Sequence, residues 1–173
     1  MRMLGGYESE HGPVFKAEFK DLDDELRFLR RIINQYRELP LIRDLAVNII
    51  RRAACPQRDK KCQAIAIATW VKDNIYYVHE LPERFAYPDE VLRAKAGDCD
   101  DFSTLIGSLA ESIGIPTMLV TMKIGFKWAH IFSAAQMASG SLLPLDATNR
   151  FGLGVNPIQQ TLSKGKSVAI KLA

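Results

Sequence analysis

Gly97-Asp98-Cys99-Asp100-Asp101-Phe102 sets a thiol at the first turn of a strongly periodic segment. From Phe102 the apolar positions run Phe102, Leu105, Ile106, Leu109 and Ile113, a spacing of three and four that draws one buried stripe along a helix. Gly114 and Ile115-Pro116 stop it. At its start Asp98 has the chemistry of an N-cap, and Asp101, three residues on, makes a capping-box pattern with Asp in place of Glu. Cys99 therefore falls at or near the first helical position, where unpaired backbone N–H groups and the positive end of the helix dipole favour a thiolate. Asp98 and Asp100 act the other way, because nearby negative charge raises a thiol pKa. A reactive thiol here needs an offsetting partner, and a histidinium is the usual one.

Downstream the period changes from 3.6 to 2. Thr117 to Lys123 reads as a strand, Gly125 as a turn, Lys127 to Gln136 as a second strand and Leu142 to Ala147 as a third. The second carries His130 and the third Asp146. If a three-residue loop, Ala138-Ser139-Gly140 with Gly140 left-handed, closes the hairpin, residues 137 and 141 face each other and the pairing sum is 278. Asp146 then stands opposite Phe132 and diagonal to His130 on the same face. A five-residue loop gives 276 and sets Asp146 directly opposite His130. Either register keeps the two side chains in reach, since cross-strand neighbours lie about 5 Å apart and diagonal ones about 7 to 8 Å. An odd sum would separate them onto opposite faces.

Upstream, apolar residues mark three helices: Leu22, Leu26, Leu29, Ile33 and Tyr36; Leu41, Leu45, Ile49 and Ile50; Ala64, Ile65, Ala68, Val71 and Ile75. Pro40 is expected to end the first. Tyr76-Tyr77-Val78 suits a short strand, Asp89 to Ala94 a brief helix, and Val168-Ala169-Ile170 a strand end. Helices first and strands later give an α+β domain with an antiparallel sheet. The expected organisation is an N-terminal arm or irregular wrap over 1–20 and a single domain over 21–173, with its core at about 62–150.

The length, 173 residues, is enough to bury a core unaided, and 47% apolar with 25% charged residues fits an ordinary globular chain. No apolar run has the length of a membrane span, and Met1 to Tyr7 lacks the apolar centre of a secretory signal. Three cysteines without an export signal suggest free thiols, a reducing compartment and a cytoplasmic location. Cys55 and Cys62 lack the paired short spacings of a zinc site and read as structural or incidental. The arginines and lysines of the first three helices are interspersed with acids and show no aromatic-basic interleaving, which suits a solvated face rather than a nucleic-acid surface.

A thiol nucleophile needs a base, and the base needs an orienting acceptor. Cys99, His130 and Asp146 supply these three roles. The same residues, Gly97-Asp98-Cys99, Gly114-Ile115-Pro116-Thr117, Trp128-Ala129-His130 and Leu145-Asp146-Ala147-Thr148, give a pattern that resembles the transglutaminase-like superfamily of papain-fold cysteine enzymes, over about Ile75 to Thr148. The Asp-Cys-Asp-Asp form is similar to the compact bacterial and bacteriophage members, which leaves a phage-encoded or virion-associated protein open. Phe132 stands where the family often has Trp, and Ala147 where Pro often follows the Asp. The resemblance implies a papain-like core with the Cys helix packed on the sheet. It also implies a Cys99-His130-Asp146 triad, a peptide or protein amide substrate, and no cofactor or metal. Cys99 would attack the amide carbonyl, His130 would move the proton and Asp146 would orient His130. Release of the thioester to water makes a peptidase or amidase; release to an amine makes a crosslinking transglutaminase. The backbone N–H of Cys99 suits an oxyanion hole, with Trp70, Tyr76 or Tyr77 as second donor.

Three other readings compete. A papain-like cell-wall peptidase usually orients its histidine with a second His or polar residue close behind, and no histidine follows His130. A binding or assembly module that kept the fold but lost catalysis would show a slow, ordinary thiol where an enzyme shows fast, His130-dependent alkylation near neutral pH. A cation site at Asp98, Asp100 and Asp101 is disfavoured because three acids on adjacent helix positions splay apart.

Overall fold

The computed structural model describes every residue except 1, 10, 11, 79–84, 125, 126, 149–152, 154, 155 and 164–167. The expected turn at Gly125 and the start of the tail at Asn149 lie outside the described residues. The opening segment, read from sequence as an arm or irregular wrap, pairs as an antiparallel hairpin, β1 (Arg2–Ser9) with β2 (Gly12–Glu18).

Three helices follow: α1 (Leu22–Tyr36), α2 (Pro40–Arg52) and α3 (Lys60–Asn74). Asp21 caps α1 by accepting from the Asp24 N–H at 2.9 Å, and Asp59 caps α3 by accepting from the Cys62 N–H at 2.9 Å. Pro40 does not end α1, which stops at Tyr36. It opens α2, where a missing N–H costs nothing. Two short parallel strands, β3 (Tyr76–Tyr77) and β4 (Ala96–Gly97), flank α4 (Pro88–Ala94) in sequence. Next comes α5 (Cys99–Ser112), ended by Gly114 at φ +75°. Then come β5 (Thr117–Ile124), β6 (Lys127–Gln136), β7 (Leu142–Leu145), α6 (Pro157–Ser163) and β8 (Val168–Leu172).

The last four strands form one antiparallel sheet in the order β7-β6-β5-β8. On its inner face Leu119, Ile131, Ala135 and Leu145 join the main core with α5, around which α1, α2 and α3 also pack. On the outer face Val120, Met122, Phe132 and Ala134 form a second cluster against Ile158 of α6. The α+β architecture expected from the sequence is the one observed.

One expectation about α5 needs enlarging. The apolar stripe is buried, but so are Ser103, Thr104, Ser108 and Ser112 on the other faces, because α5 is wrapped by helices and sheet rather than laid on a surface. Thr104 and Ser108 meet their hydrogen-bonding needs within the helix: Thr104 Oγ1 donates to the Asp100 carbonyl at 3.0 Å and Ser108 Oγ to that of Thr104 at 2.7 Å. Gly107 faces α1 so closely that a Cβ there would lie 2.7 Å from Ile33 Cδ1.

The reading of Cys55 and Cys62 as free thiols is corrected. The α2 C-terminus turns through Ala54, in the left-handed region at φ 52°, and brings the two Cα atoms to 5.7 Å, where a disulfide joins them. Cys99 is the free cysteine. A disulfide belongs with oxidising surroundings, so the argument from cysteine usage to a reducing compartment loses its support. Among the described residues no helix is long and apolar enough to cross a membrane.

Candidate active site

Cys99 is the first residue of α5, half-buried, with Asp98 as the flanking cap residue in extended conformation. The Ile131 backbone N–H, one residue past His130, faces its thiol closely enough to favour the thiolate. The sheet explains why that N–H is free. β7 pairs with β6 only over Ser133 to Gln136, so the ladder ends before Ile131. Side chains from the first turn of α5 take its place: the Cys99 thiol meets the Ile131 N–H, and Ser103 Oγ donates to the Ile131 carbonyl at 3.3 Å.

Asp101 fixes the approach to this turn. It is 2% exposed, and its carboxylate accepts from the Ala86 N–H at 2.8 Å and the Asp98 N–H at 3.2 Å. The chain before Cys99 is thereby tied down on α5. Gly97 leaves room for that carboxylate, since a Cβ at 97 would lie 2.8 Å from Asp101 Cβ. Gly97 also pairs with Tyr77 across the parallel strands, and the Tyr77 ring packs edge-on against Phe102 with centroids 6.0 Å apart. This separates the three aromatic candidates. Tyr77 feels the charges of Cys99, Asp98, Asp100 and Asp146, and burial together with those charges pushes its phenol up. Trp70 instead lines a groove beside the Cys55–Cys62 disulfide, and Tyr76 is 77% exposed.

On β6 the pairing with β5 slips by one residue between Met122–His130 and Lys123–Trp128, a bulge that leaves Ala129 unpaired directly before His130. Ser133–Leu145, Ala134–Pro144, Ala135–Leu143 and Gln136–Leu142 are paired, so the register sum is 278. The three-residue loop accounts for it: the Met137 N–H donates to the Ser141 carbonyl at 2.9 Å, and Gly140 is left-handed at φ +80°. Asp146 thus extends β7 diagonal to His130, and its Oδ2 lies 2.8 Å from His130 Nε2. Its Oδ1 accepts from the Thr148 N–H at 3.1 Å and from Thr148 Oγ1 at 2.7 Å. Phe132, where the family often has Trp, stacks on the His130 ring with centroids 5.8 Å apart.

The electrostatics of the two halves differ. Burial alone would raise the Asp146 pKa, but the hydrogen bond and charge of His130 and the bonds from Thr148 outweigh it and hold the carboxyl below its usual value. The Cys99 thiol is pushed up to about 12, first by burial, then by Asp100 and Asp98, against the lowering effect of the Ile131 and Cys99 backbone groups. The helix-start advantage anticipated for the thiolate is outweighed, and the resting group is a thiol. Asp100 is itself pushed well above the ordinary carboxyl range by burial, then by its hydrogen bond with the Asp98 carboxyl and by the nearby Asp101 and Asp98 charges. Among the described residues His130 and Asp146 are hydrogen-bonded to each other, and no hydrogen bond joins Cys99 to His130. Cys99 is adjacent through Ile131.

One oxygen each from Asp98 and Asp100 and the Cys99 sulfur lie within 4.8 Å of one another, a set of donors that could surround a cation. The acids do not all splay apart as expected; Asp101, the one that turns away, does so to hold Ala86 and Asp98. The capping box expected of Asp98 and Asp101 is present, whereas the Ile131 N–H, Thr148 and the Asp101 contact with Ala86 were not apparent from sequence. They depend on where a strand ends and on a loop–helix contact, neither of which leaves a local pattern.

The sequence pattern of the transglutaminase-like superfamily matches residues 44–140, more than half of the 173-residue chain. Among solved structures, a candidate cysteine protease from Cytophaga hutchinsonii shares the fold with a TM-score of 0.52 at 18% sequence identity. The match covers 82% of this chain and 53% of that one, so this chain spans about half the length of its structural neighbour. No curated protein sequence matches.

Proposed function

The chain belongs to the transglutaminase-like superfamily, and from that premise we propose that it is a cysteine enzyme that transfers the acyl group of an amide through a thioester on Cys99, with water as the acceptor. The observation that carries this reading is the 2.8 Å contact between His130 Nε2 and Asp146 Oδ2, one residue from the backbone group that faces the Cys99 thiol. With Nε2–H donated to the carboxylate, Nδ1 is the ring nitrogen left to accept a proton.

In this mechanism Cys99 attacks the carbonyl carbon while His130 Nδ1 takes the thiol proton, so the ion pair forms during attack rather than standing preformed. The Cys99 backbone N–H and the Tyr77 hydroxyl donate to the oxyanion. His130 returns the proton to the departing amine, leaving the thioester, and then activates water to release the acid. Asp146 keeps the imidazole in the required tautomer and stabilises its charge. The experiment is hydrolysis of peptide amides by the intact protein and by Cys99→Ser and His130→Ala. Loss of product in both variants with unchanged folding supports the reading, and hydrolysis that survives Cys99→Ser defeats it.

The elevated thiol pKa favours a second reading, a binding or assembly module with an inert cysteine. The two part over dependence on His130: an enzyme acylates Cys99 only with that histidine present. Crosslinking is tested in the same assay by adding a primary alkylamine and looking for the amide product in place of the acid.

A further inference from the structure

We infer that the Cys55–Cys62 disulfide is a thiol–disulfide exchange site for small anionic thiols, independent of the chemistry at Cys99. Both cysteines are half-buried and line an open groove of about 580 Å³ between α2 and α3, so a dissolved thiol reaches the bond. Exposure of this kind belongs to labile disulfides rather than to those sealed in a core.

Charge selects the thiol. From Arg51 to Cys62 the chain carries Arg51, Arg52, Arg58, Lys60 and Lys61, all exposed, against one acid, Asp59. Lys60 Nζ donates to the Ile113 carbonyl at 2.9 Å, and Asp59 accepts from the Cys62 N–H. Among the described residues Arg51, Arg52, Arg58 and Lys61 form no ion pair. Asp73, the acid on the groove wall, lies about three helical turns along α3 from Cys62. An attacking thiolate therefore enters a positive field, and the gain is greatest for a thiol that carries further negative charge, as a γ-glutamyl peptide thiol does. Cys99 has the opposite surroundings, where burial, Asp100 and Asp98 keep the sulfur protonated.

In the exchange the incoming thiolate attacks Cys55 Sγ and forms a mixed disulfide there, while the Cys55–Cys62 bond breaks and leaves its electron pair on Cys62 Sγ. Cys62 sits in the first turn of α3, where the helix dipole stabilises the departing thiolate. A second thiolate attacks the sulfur of the first, releases Cys55 as thiolate and departs as the small disulfide. The two protein thiolates take up the two protons that the reagents lost. Other bonds hold the bend once the bridge is open: the Cys55 N–H donates to the Ile50 carbonyl at 3.1 Å, and Gln63 Nε2 to the Pro56 and Gln57 carbonyls at 3.2 and 2.9 Å. The opened site is therefore able to close again.

The test measures reduction of the intact protein by glutathione, neutral β-mercaptoethanol and cationic cysteamine, with the freed Cys55 and Cys62 read by alkylation and peptide mass spectrometry. Each rate per thiolate is divided by that thiol's rate with hydroxyethyl disulfide, which removes intrinsic nucleophilicity. The expected order is glutathione, β-mercaptoethanol, cysteamine, with about a fivefold spread that collapses in about 0.5 M salt and in the Arg52→Ala, Lys61→Ala double variant. Circular dichroism should show the helices unchanged after reduction, and glutathione disulfide should restore the bridge. Equal normalised rates for the three thiols overturn the proposal, as does a bridge that resists glutathione in the folded protein. Loss of helix on reduction also overturns it, because the bridge is then a structural staple.

Discussion

The two halves of the site are built on opposite principles. On the sheet, His130 and Asp146 satisfy each other and Thr148 fills the remaining carboxylate valence, so this half is complete at rest. At the start of α5, burial first and then the Asp100 and Asp98 carboxyls, themselves hydrogen-bonded to each other, oppose ionisation of Cys99. Backbone register holds the first half, and the N-terminal turn of one buried helix holds the second. On the proposed reading, the contrast teaches that the base is held in place at rest while burial and acidic neighbours keep the thiol protonated.

The largest effect that could break this contrast is at Asp146. Asp146→Asn keeps the shape but reverses the hydrogen-bond preference toward Nε2, and kcat/KM for amide hydrolysis should fall by about 10³ to 10⁴. A drop under tenfold would mean that the strand pair is structural. Next, Gly97→Ala forces a methyl to 2.8 Å from Asp101 Cβ and should cost about 1 to 3 kcal/mol in denaturant unfolding. It should also slow acylation, because the Asp101 tether sets the Cys99 turn. Unchanged stability and activity would show that the tether does not position the thiol.

Smaller is the loss in Glu111→Gln. Glu111 is buried beneath Arg30 and Arg37 and accepts from Thr117 Oγ1 at 2.7 Å, so removing its charge should cost about 2 kcal/mol by urea unfolding. Burial acts to raise its pKa, but the bonds from Arg30, Thr117 and Arg37 hold it below the ordinary value, as those of His130 and Thr148 do for Asp146. Both groups therefore add stability above the unfolded carboxylate pKa of about 4, and that stability is lost as pH falls through their lower folded values. An acid-unfolding profile that stays flat below pH 4 would contradict both. Smallest, and specific to the helix half, Asp100→Asn removes a group that raises the thiol pKa, so iodoacetamide labelling of Cys99 at pH 8 should be several-fold faster than in wild type.

Much of this was legible in the sequence because it rests on local rules. The spacing of Phe102, Leu105, Ile106 and Leu109 placed α5, and both hairpin registers open to the sequence kept Asp146 within reach of His130, the three-residue loop being the one observed. The parts not legible depend on distant contacts. The Cys55–Cys62 bridge needed the positions of two helix ends, the placement of Tyr77 beside the Cys99 turn needed the β3–β4 pairing, and the buried serines of α5 needed knowledge of how this helix is enclosed. The sign of the thiol shift was not legible either, because helix start and acidic neighbours oppose each other and burial decides between them.

The central claim is that His130 makes Cys99 a nucleophile. It is tested most directly by p-nitrophenyl acetate at pH 7, following acetylation of Cys99 by peptide mass spectrometry in wild type and His130→Ala. The account predicts acetylation of Cys99 in wild type and a rate at least a hundredfold lower in the variant. Equal rates in the two proteins would contradict it and leave Cys99 an ordinary buried thiol.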